Sequence, residues 1–566
     1  MRTQRYIAVL VLLFSSALVP AQTADPARFM TTYREAQAAS AAKDWSKAAD
    51  LWEQVLKENP VNEKYWQVLG NVYYQGKNYT KAIPAYHKAL ELGAGFPSNW
   101  AYNIACSYAH LGQKDEALNW LQKAFALGFR SLPAAQRDDD LASLRDDPRF
   151  QRLVGTTDVS KLSRVEGWRY DLQLFAAEVH RKGYGVFRPV PMADFDAAVK
   201  RLSDAVPNLT DIELAVEFTR LAASLRDGHT GIMPGPLRLD MLKSIPMLFY
   251  WFEEGMFVVT ADPKYKDLLG AEVLKMGDKS VDEIASALAP LVSRDESPMW
   301  IKTRVPHMMR YLPMLAGLKL IPKTDQVDLT IRDKAGKTRT VSVPADLSQP
   351  NIWNTLPNPA AWVNIPQTIG GKLPLYVQHE DKPYWFEYLP DSKTVYCAYN
   401  SVSDDTDEPI DKFTARLSQF IESHDVDKFV LDMRWNNGGN TPKNRPFVQL
   451  LQNKKINQKG KLFIVIGRRV YSAAQNAVSQ FEAATDATFI GEPTGSTPNF
   501  VGDEIFFTLP YSKLMANISD IYWQYAGPFD HRIWTAPQIY MPPRFADYVQ
   551  NKDPIMDTII AYTQVR

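Results

Sequence analysis

At 566 residues, with 45% apolar and 23% charged side chains, the chain exceeds what one compact core usually holds and reads as a globular protein of three or four domains. Lysine plus arginine and aspartate plus glutamate are equal at 64 each, so no global charge points to nucleic acid or an acidic membrane surface as a partner. The two cysteines, Cys106 in a helical pattern and Cys397 in an apolar strand pattern, are expected to stay unpaired, and neither has the neighbours of a reactive thiol.

Arg2 and Arg5 precede an apolar run from Ile7 to Val19 that is too short to span a bilayer comfortably, and Val19-Pro20-Ala21 offers small residues for cleavage. Residues 1–21 are therefore expected to be a secretory signal cut after Ala21, with an uncleaved anchor as the lesser reading. No later segment reads as a membrane helix, so the mature chain is expected to be exported, periplasmic or secreted, without stable membrane insertion. Residues 28–155 then repeat: at a period of 34, Ala48 falls under Ala82, Trp52 under Tyr86 and Val55 under Ala89, and a further shift of 35 brings Ala117, Leu121 and Ala124 into the same slots. With Trp66, Leu69, Gly70 and Tyr73 in the middle copy and Ala105 and Tyr108 in the third, the segment resembles the tetratricopeptide repeat. The resemblance implies stacked helix pairs with a concave face for a protein partner, or a plain helical spacer. Arg137-Asp138-Asp139-Asp140 reads as an acidic helix start rather than a metal site.

Residues 160–232 are expected to be mostly helical and to belong with the core formed by residues 385–566. Residues 235–350 form a separate block of short strand patterns, among them Phe257-Val258-Val259, Val273-Leu274-Lys275-Met276 and Val327-Asp328-Leu329-Thr330-Ile331, with a helical insertion from Glu283 to Leu320. Five prolines between Asn351 and Glu387 mark a linker. In residues 385–566 strands and helices alternate, opening with Thr394 to Asn400 and a helix over Phe413 to Ile421, which argues for an α/β core.

The core carries the chemistry. Phe429-Val430-Leu431-Asp432 is a buried-strand pattern running into Met433-Arg434-Trp435-Asn436-Asn437-Gly438-Gly439-Asn440, a polar, glycine-paired turn that can offer backbone N–H groups. Lys461 to Gly467 is a second apolar strand, and Val470-Tyr471-Ser472-Ala473-Ala474-Gln475 places a serine at the start of an apolar helix. A hydroxyl there lies beside N–H groups that the helix cannot satisfy, which suits a nucleophile attacking a carbonyl. On its own, Ser-Ala-Ala at a helix start is an N-cap.

Leu225-Arg226-Asp227-Gly228-His229-Thr230, the Leu431 to Gly439 segment, Tyr471-Ser472-Ala473-Ala474 and Gly491-Glu492-Pro493-Thr494, in that order and spacing, resemble the C-terminal processing and tricorn-type serine peptidases over residues 160 to 566. The likeness implies a multidomain architecture: an α-helical repeat domain, then an α/β peptidase core with an inserted PDZ-like β-rich module. It further implies an exported serine endopeptidase acting on protein or peptide substrates, with no cofactor and no metal. Ser472 is the implied nucleophile, and the N–H groups of Gly438 and Ala473 are the implied oxyanion donors, with Gly439 as alternative to Gly438. In the processing branch a lysine lies 25 positions after the serine, but Thr497 stands there and Gly491 to Asp503 holds no lysine or arginine. The tricorn-like branch uses a histidine, and His229 occupies that place; imidazole titrates near neutrality and suits the task. Gly228 stands where that branch has a serine, so a carboxylate is expected to reach His229 directly, with Asp530 as the candidate and Asp227, Glu492 and Asp503 as others. Two other readings stand beside the peptidase: a non-catalytic binding or scaffold protein that retains the fold, and a serine esterase, although Ser472 lacks a Gly-x-Ser-x-Gly elbow.

Overall fold

The computed structural model describes residues 26–129, 131–182, 190–235, 238–347, 359 and 361–563, so the expected signal at residues 1–21 lies outside the described residues. The chain divides between Thr157 and Asp158 into two compact units.

The first unit is built from helix pairs, Pro26–Ala41 with Trp45–Glu58, Glu63–Gln75 with Tyr79–Glu91, and Pro97–His110 with Lys114–Ala126. Asp44, Asn62 and Asn78 start the second, third and fourth helices by accepting backbone N–H groups that have no intrahelical partner. All nine residues of the three-fold alignment are buried, from Ala48, Ala82 and Ala117 at 0% exposure to Trp52 at 3%. Small residues let neighbouring helices approach: a Cβ on Gly70 would come within 2.6 Å of the Tyr86 ring. The acidic run caps the short helix Asp139–Leu144, where Asp138 accepts the N–H of Asp140 at 3.0 Å and the Tyr102 hydroxyl at 2.8 Å.

In the second unit, helices Arg164–Lys182, Met192–Ala205 and Asp211–Ala223 pack on a small sheet of Gly231–Met233, Met515–Gln524 and Asn499–Thr508 around Trp168, Phe175, Phe218 and Ile518. A seven-stranded antiparallel sheet follows, with Met247–Phe252, Gly255–Ala261, Glu272–Met276, Gln326–Arg332 and Thr338–Pro344 in sequential order and the two-residue strands Lys279–Ser280 and Val363–Asn364 pairing with the third and second of these. The helices Val281–Leu288, Met299–Met308 and Leu312–Gly317 form the insertion expected between its strands.

The core sheet has six strands in chain order: Tyr384–Leu389, Thr394–Tyr399, Lys428–Asp432, Leu462–Ile466, Thr488–Gly491 and Ile539–Tyr540. Only the first pair is antiparallel. The sheet therefore opens one strand earlier than the proline density implied, because alternating aromatics from Tyr384 to Tyr388 pair with the Thr394 strand. Its central strands are apolar on both faces, as a covered parallel sheet requires. Leu431 and Ile464 face the helices Ile410–Ser423, Arg445–Leu451 and Ala473–Ala484, whereas Val430, Phe463 and Val465 face Met556 and Ile559 of the final helix. The C-terminal ends of two adjacent strands, at Asp432 and Ile466, lead to the glycine turn and to Ser472, which fixes both at one edge.

Candidate active site

Ser472 immediately precedes the helix Ala473–Ala484 with φ 54° and ψ −130°, a conformation that L residues rarely adopt. Its hydroxyl makes no capping hydrogen bond. The turn thus presents the side chain instead of spending it on the helix, although the sequence lacks the glycines usual at such an elbow. Gly438 is what allows it: at φ 111°, an added Cβ would lie 2.8 Å from Ser472 Cβ and 3.0 Å from the Ala473 nitrogen.

His229 lies in the turn between the helix ending at Ala223 and the strand starting at Gly231. Asp227 ties this turn by accepting the His229 N–H at 3.0 Å, the Thr230 hydroxyl at 2.6 Å and the Ser519 hydroxyl at 2.7 Å, while Asn517 donates to the His229 carbonyl. The ring is held by stacking. Trp300, Tyr471, His229 and Phe500 form a pile with successive centroid separations of 4.0, 5.0 and 5.6 Å and interplanar angles of 10°, 24° and 10°. His229 Nδ1 is buried without a hydrogen-bond partner, which leaves Nε2 as the nitrogen open to the cleft.

His229, Ser472, Gly438 and Gly439 line one cleft of about 910 Å³, together with Trp300, Asp503, Glu504 and Trp523. Ala473 is the first residue of its helix, so its N–H has no intrahelical acceptor. The Gly438 N–H, expected at the oxyanion position, is instead donated to Asn436 Oδ1 at 3.0 Å, whereas the Gly439 N–H makes no hydrogen bond among the described residues. In this conformation Gly439 is the free donor of the pair.

No carboxylate hydrogen-bonds His229 Nδ1 among the described residues. Asp530 is a correction to the sequence reading: its oxygens are taken by Arg532 at 3.0 and 2.6 Å, and it is not part of the cleft wall. Glu492 is committed to Arg468, and Asp227 to its own turn. Asp503 does line the cleft. The acid that sequence reasoning missed is Asp295, buried beside His229, which accepts the Gly228 N–H at 3.1 Å and the Ser496 hydroxyl. Burial pushes its carboxyl above the ordinary range, against the opposing pull of the Ser496 hydrogen bond and of His229. Nothing in its flanks, Arg294 and Glu296, marked it. Gly228 also has its reason here: an added Cβ would lie 1.6 Å from the Tyr471 hydroxyl oxygen, so the tyrosine ring fills the place of a side chain before the histidine.

Among the described residues, Cys106, Asp138 and Asp140 bring possible metal-ligating atoms within 4.8 Å of one another. Tyr102 and Tyr74 donate to those carboxylates, and burial pushes the Cys106 thiol up, away from the thiolate a metal needs.

The site is thus a serine and a histidine sharing one cleft at the edge of an α/β sheet, in a chain that begins its described part with helical repeats. Residues 33–99 and 99–128 match the tetratricopeptide repeat family. The chain is also 33% identical over 101 residues to the peroxisomal targeting signal receptor of Saccharomyces cerevisiae, a stretch that is 18% of this chain and spans 16% of that protein's length. In fold the chain is similar to mature CPAF, at 12% identity and a TM-score of 0.48, covering 70% of this chain and 98% of that one. It is similar to the photosystem II D1 C-terminal processing protease at 12% identity and a TM-score of 0.34, covering 66% and 93%. For the tricorn protease the values are 14% and 0.32, covering 70% of this chain and 36% of that chain.

Proposed function

We propose that this protein is a serine peptidase that hydrolyses protein or peptide substrates through an acyl-enzyme at Ser472, with His229 as general base. The observation that carries the reading is the seat of Ser472: a strained turn that frees the hydroxyl from capping, at a helix N-terminus, in the same cleft as an imidazole whose Nε2 is open. His229 Nε2 takes the seryl proton and returns it to the leaving amine. The Ala473 N–H, with that of Gly439 or of Gly438 once released from Asn436, stabilises the oxyanion; such donors are each worth about 3 kcal/mol of barrier. The aromatic pile orients the imidazole where a hydrogen-bonded carboxylate would do so elsewhere. The apolar leader at residues 7–19 supports export, and no described helix is long and apolar enough to cross a membrane. The repeats support a protein partner.

A binding or scaffold protein is the second reading, favoured by the engaged Gly438 N–H and the unpartnered Nδ1. A fluorophosphonate probe read by intact mass separates the two. One adduct mapped to Ser472, lost in Ser472→Ala and in His229→Ala, is the expected result; an unmodified protein, or an adduct surviving in Ser472→Ala, overturns the peptidase assignment.

A further inference from the structure

Gly467-Arg468-Arg469-Val470-Tyr471 joins the Leu462–Ile466 strand to Ser472 and carries two adjacent buried arginines with unlike surroundings. Arg468 is fully matched: it gives two hydrogen bonds to Glu492, at 2.8 and 2.5 Å, and one to the Trp251 carbonyl at 2.6 Å. Arg469 is only 5% exposed, yet its Nε and Nη1 are buried with no hydrogen-bond acceptor, and it forms no ion pair among the described residues. Its nearest aromatic face is Trp435, with Cζ 5.7 Å from the ring centroid. Removing a cation from water without a counter-charge costs several kcal/mol, and a cation–π contact returns only about 1–2. Burial pushes the Arg469 guanidinium down to about 10, so it is still charged at neutral pH.

Arg469 lines a cavity of about 340 Å³ between the Met247–Ala261 hairpin and the C-terminal edge of the core sheet. Its walls include Tyr250, Phe252, Tyr376, Trp435 and Tyr548. Of the acids that also line it, Glu492 and Asp553 are spent on Arg468 and Arg434, and neither Glu380 nor Asp547 hydrogen-bonds Arg469. The other recess reached by Arg469 is polar, with Trp435 as the one aromatic residue of its lining and with Asp404 and Asp405 paired to Lys443 and Lys382, so an anion with an apolar body has no seat there. An anion is therefore favoured on the aromatic side. The buried, unmatched Arg469 guanidinium calls for a negative charge, the aromatic walls call for an apolar body, and the planar guanidinium fork matches a carboxylate in two parallel bonds, with Arg544 and Lys552 lining the same cavity. The volume is at the lower end of small-molecule sites.

We propose that this cavity binds a small aromatic monocarboxylate, with Arg469 as its charge partner, at a place distinct from the Ser472 cleft. The inference stands without the peptidase reading, because its test is binding.

The test titrates the full chain with 3-phenylpropionate and with indole-3-acetate, each beside its uncharged amide, by calorimetry and by thermal shift. Parent, Arg469→Met and Ser472→Ala proteins are compared. Arg469→Met is expected to fold with stability equal to or above the parent, since it removes an unpaired buried charge. The acids should bind the parent and Ser472→Ala alike, about tenfold or more tighter than the amides, and this preference should vanish in Arg469→Met. Equal binding of acid and amide, undiminished acid binding by Arg469→Met, or no binding of either acid at millimolar concentration overturns the proposal. If Arg469→Met fails to fold, Arg469→Lys serves, because a compact ammonium cannot reproduce the two-bond fork; acid binding at parental strength in it also counts against the site.

Discussion

The backbone at Ser472 offers a measurement of stored strain. Holding an L residue at φ 54°, ψ −130° costs about 1–3 kcal/mol. Glycine adopts that conformation without a Cβ penalty but gives the unfolded chain about 0.5–1 kcal/mol of extra entropy. Ser472→Gly and Ser472→Ala both delete the hydroxyl, which makes no capping bond, so their difference isolates the strain. The net expectation is that Ser472→Gly is the more stable by about 1 kcal/mol. The two compact units need not melt together, so the readout is amide hydrogen exchange of the Ala473–Ala484 helix, where about 1 kcal/mol is a fivefold slowing. Exchange as fast in Ser472→Gly as in Ser472→Ala would show an unstrained turn and remove the main support for Ser472 as a presented nucleophile.

Gly228→Ala places a methyl against the Tyr471 hydroxyl oxygen, 1.6 Å away, so the stacked ring must move and carry His229 with it. Probe labelling of Ser472 should slow roughly 10²-fold, and adding Tyr471→Phe, which deletes the clashing oxygen, should recover part of it; no recovery would disprove the stacking argument. Glu492→Gln leaves the Arg468 guanidinium, 2% exposed, without its counter-charge, and should destabilise the second unit by about 3–5 kcal/mol in denaturant unfolding. A change under about 1 kcal/mol would mean that the pair is not buried in solution. For Asp295 burial raises the folded pKa, so the folded protein keeps a proton that the unfolded chain releases. The stability from that proton is present in acid and lost as pH rises through the folded value. Asp295→Asn should therefore gain stability relative to the parent as pH rises from the ordinary carboxylate range, about 4, through the folded value; a difference that stays constant with pH above about 4 refutes the assignment.

The sequence exposed most of the architecture because periodicity reports burial. The nine aligned repeat residues are all buried, and the Phe429 and Leu462 runs are central strands. The sequence read the Tyr384–Leu389 strand as linker because the prolines ahead of it outweighed a pattern of only six residues. Ser472, His229 and the glycine pair could be found because local motifs carry them, and the structure brings them to one cleft. The partners of His229 could not. Trp300 and Phe500 reach the imidazole pile from positions 71 residues after and 271 residues after His229, on elements with no shared pattern. Asp530 attracted attention as a late acid in a loop, but an arginine two residues on claims such a carboxylate first. Asp295 lies between a basic and an acidic neighbour, and nothing local distinguishes a buried aspartate from an exposed one.

A strained serine persists only where its surroundings over-determine it. Here the segment before Ser472 is pinned at several points. Arg468 ties it to Glu492 of the neighbouring strand end and to the Trp251 carbonyl of the antiparallel sheet. Gly495 N–H donates to the Val470 carbonyl, and Tyr471 is clasped between Trp300 and His229. After the serine, Asn444 holds the Ala473 carbonyl at 2.8 Å. The clamp therefore draws on the antiparallel sheet, the insertion helix that carries Trp300, and the histidine turn. Ser472 and His229 are positioned by the same tyrosine, so a displacement of either is transmitted to the other. The Arg469 side chain takes no part in the clamp, and its Nε and Nη1 are left buried and unmatched, as is the Tyr471 hydroxyl. Other buried groups near the turn are also unmatched, among them the Tyr471 hydroxyl, Gln475 Oε1 and Asn476 Oδ1, but those are neutral, whereas the Arg469 guanidinium carries a charge that an anionic ligand would answer.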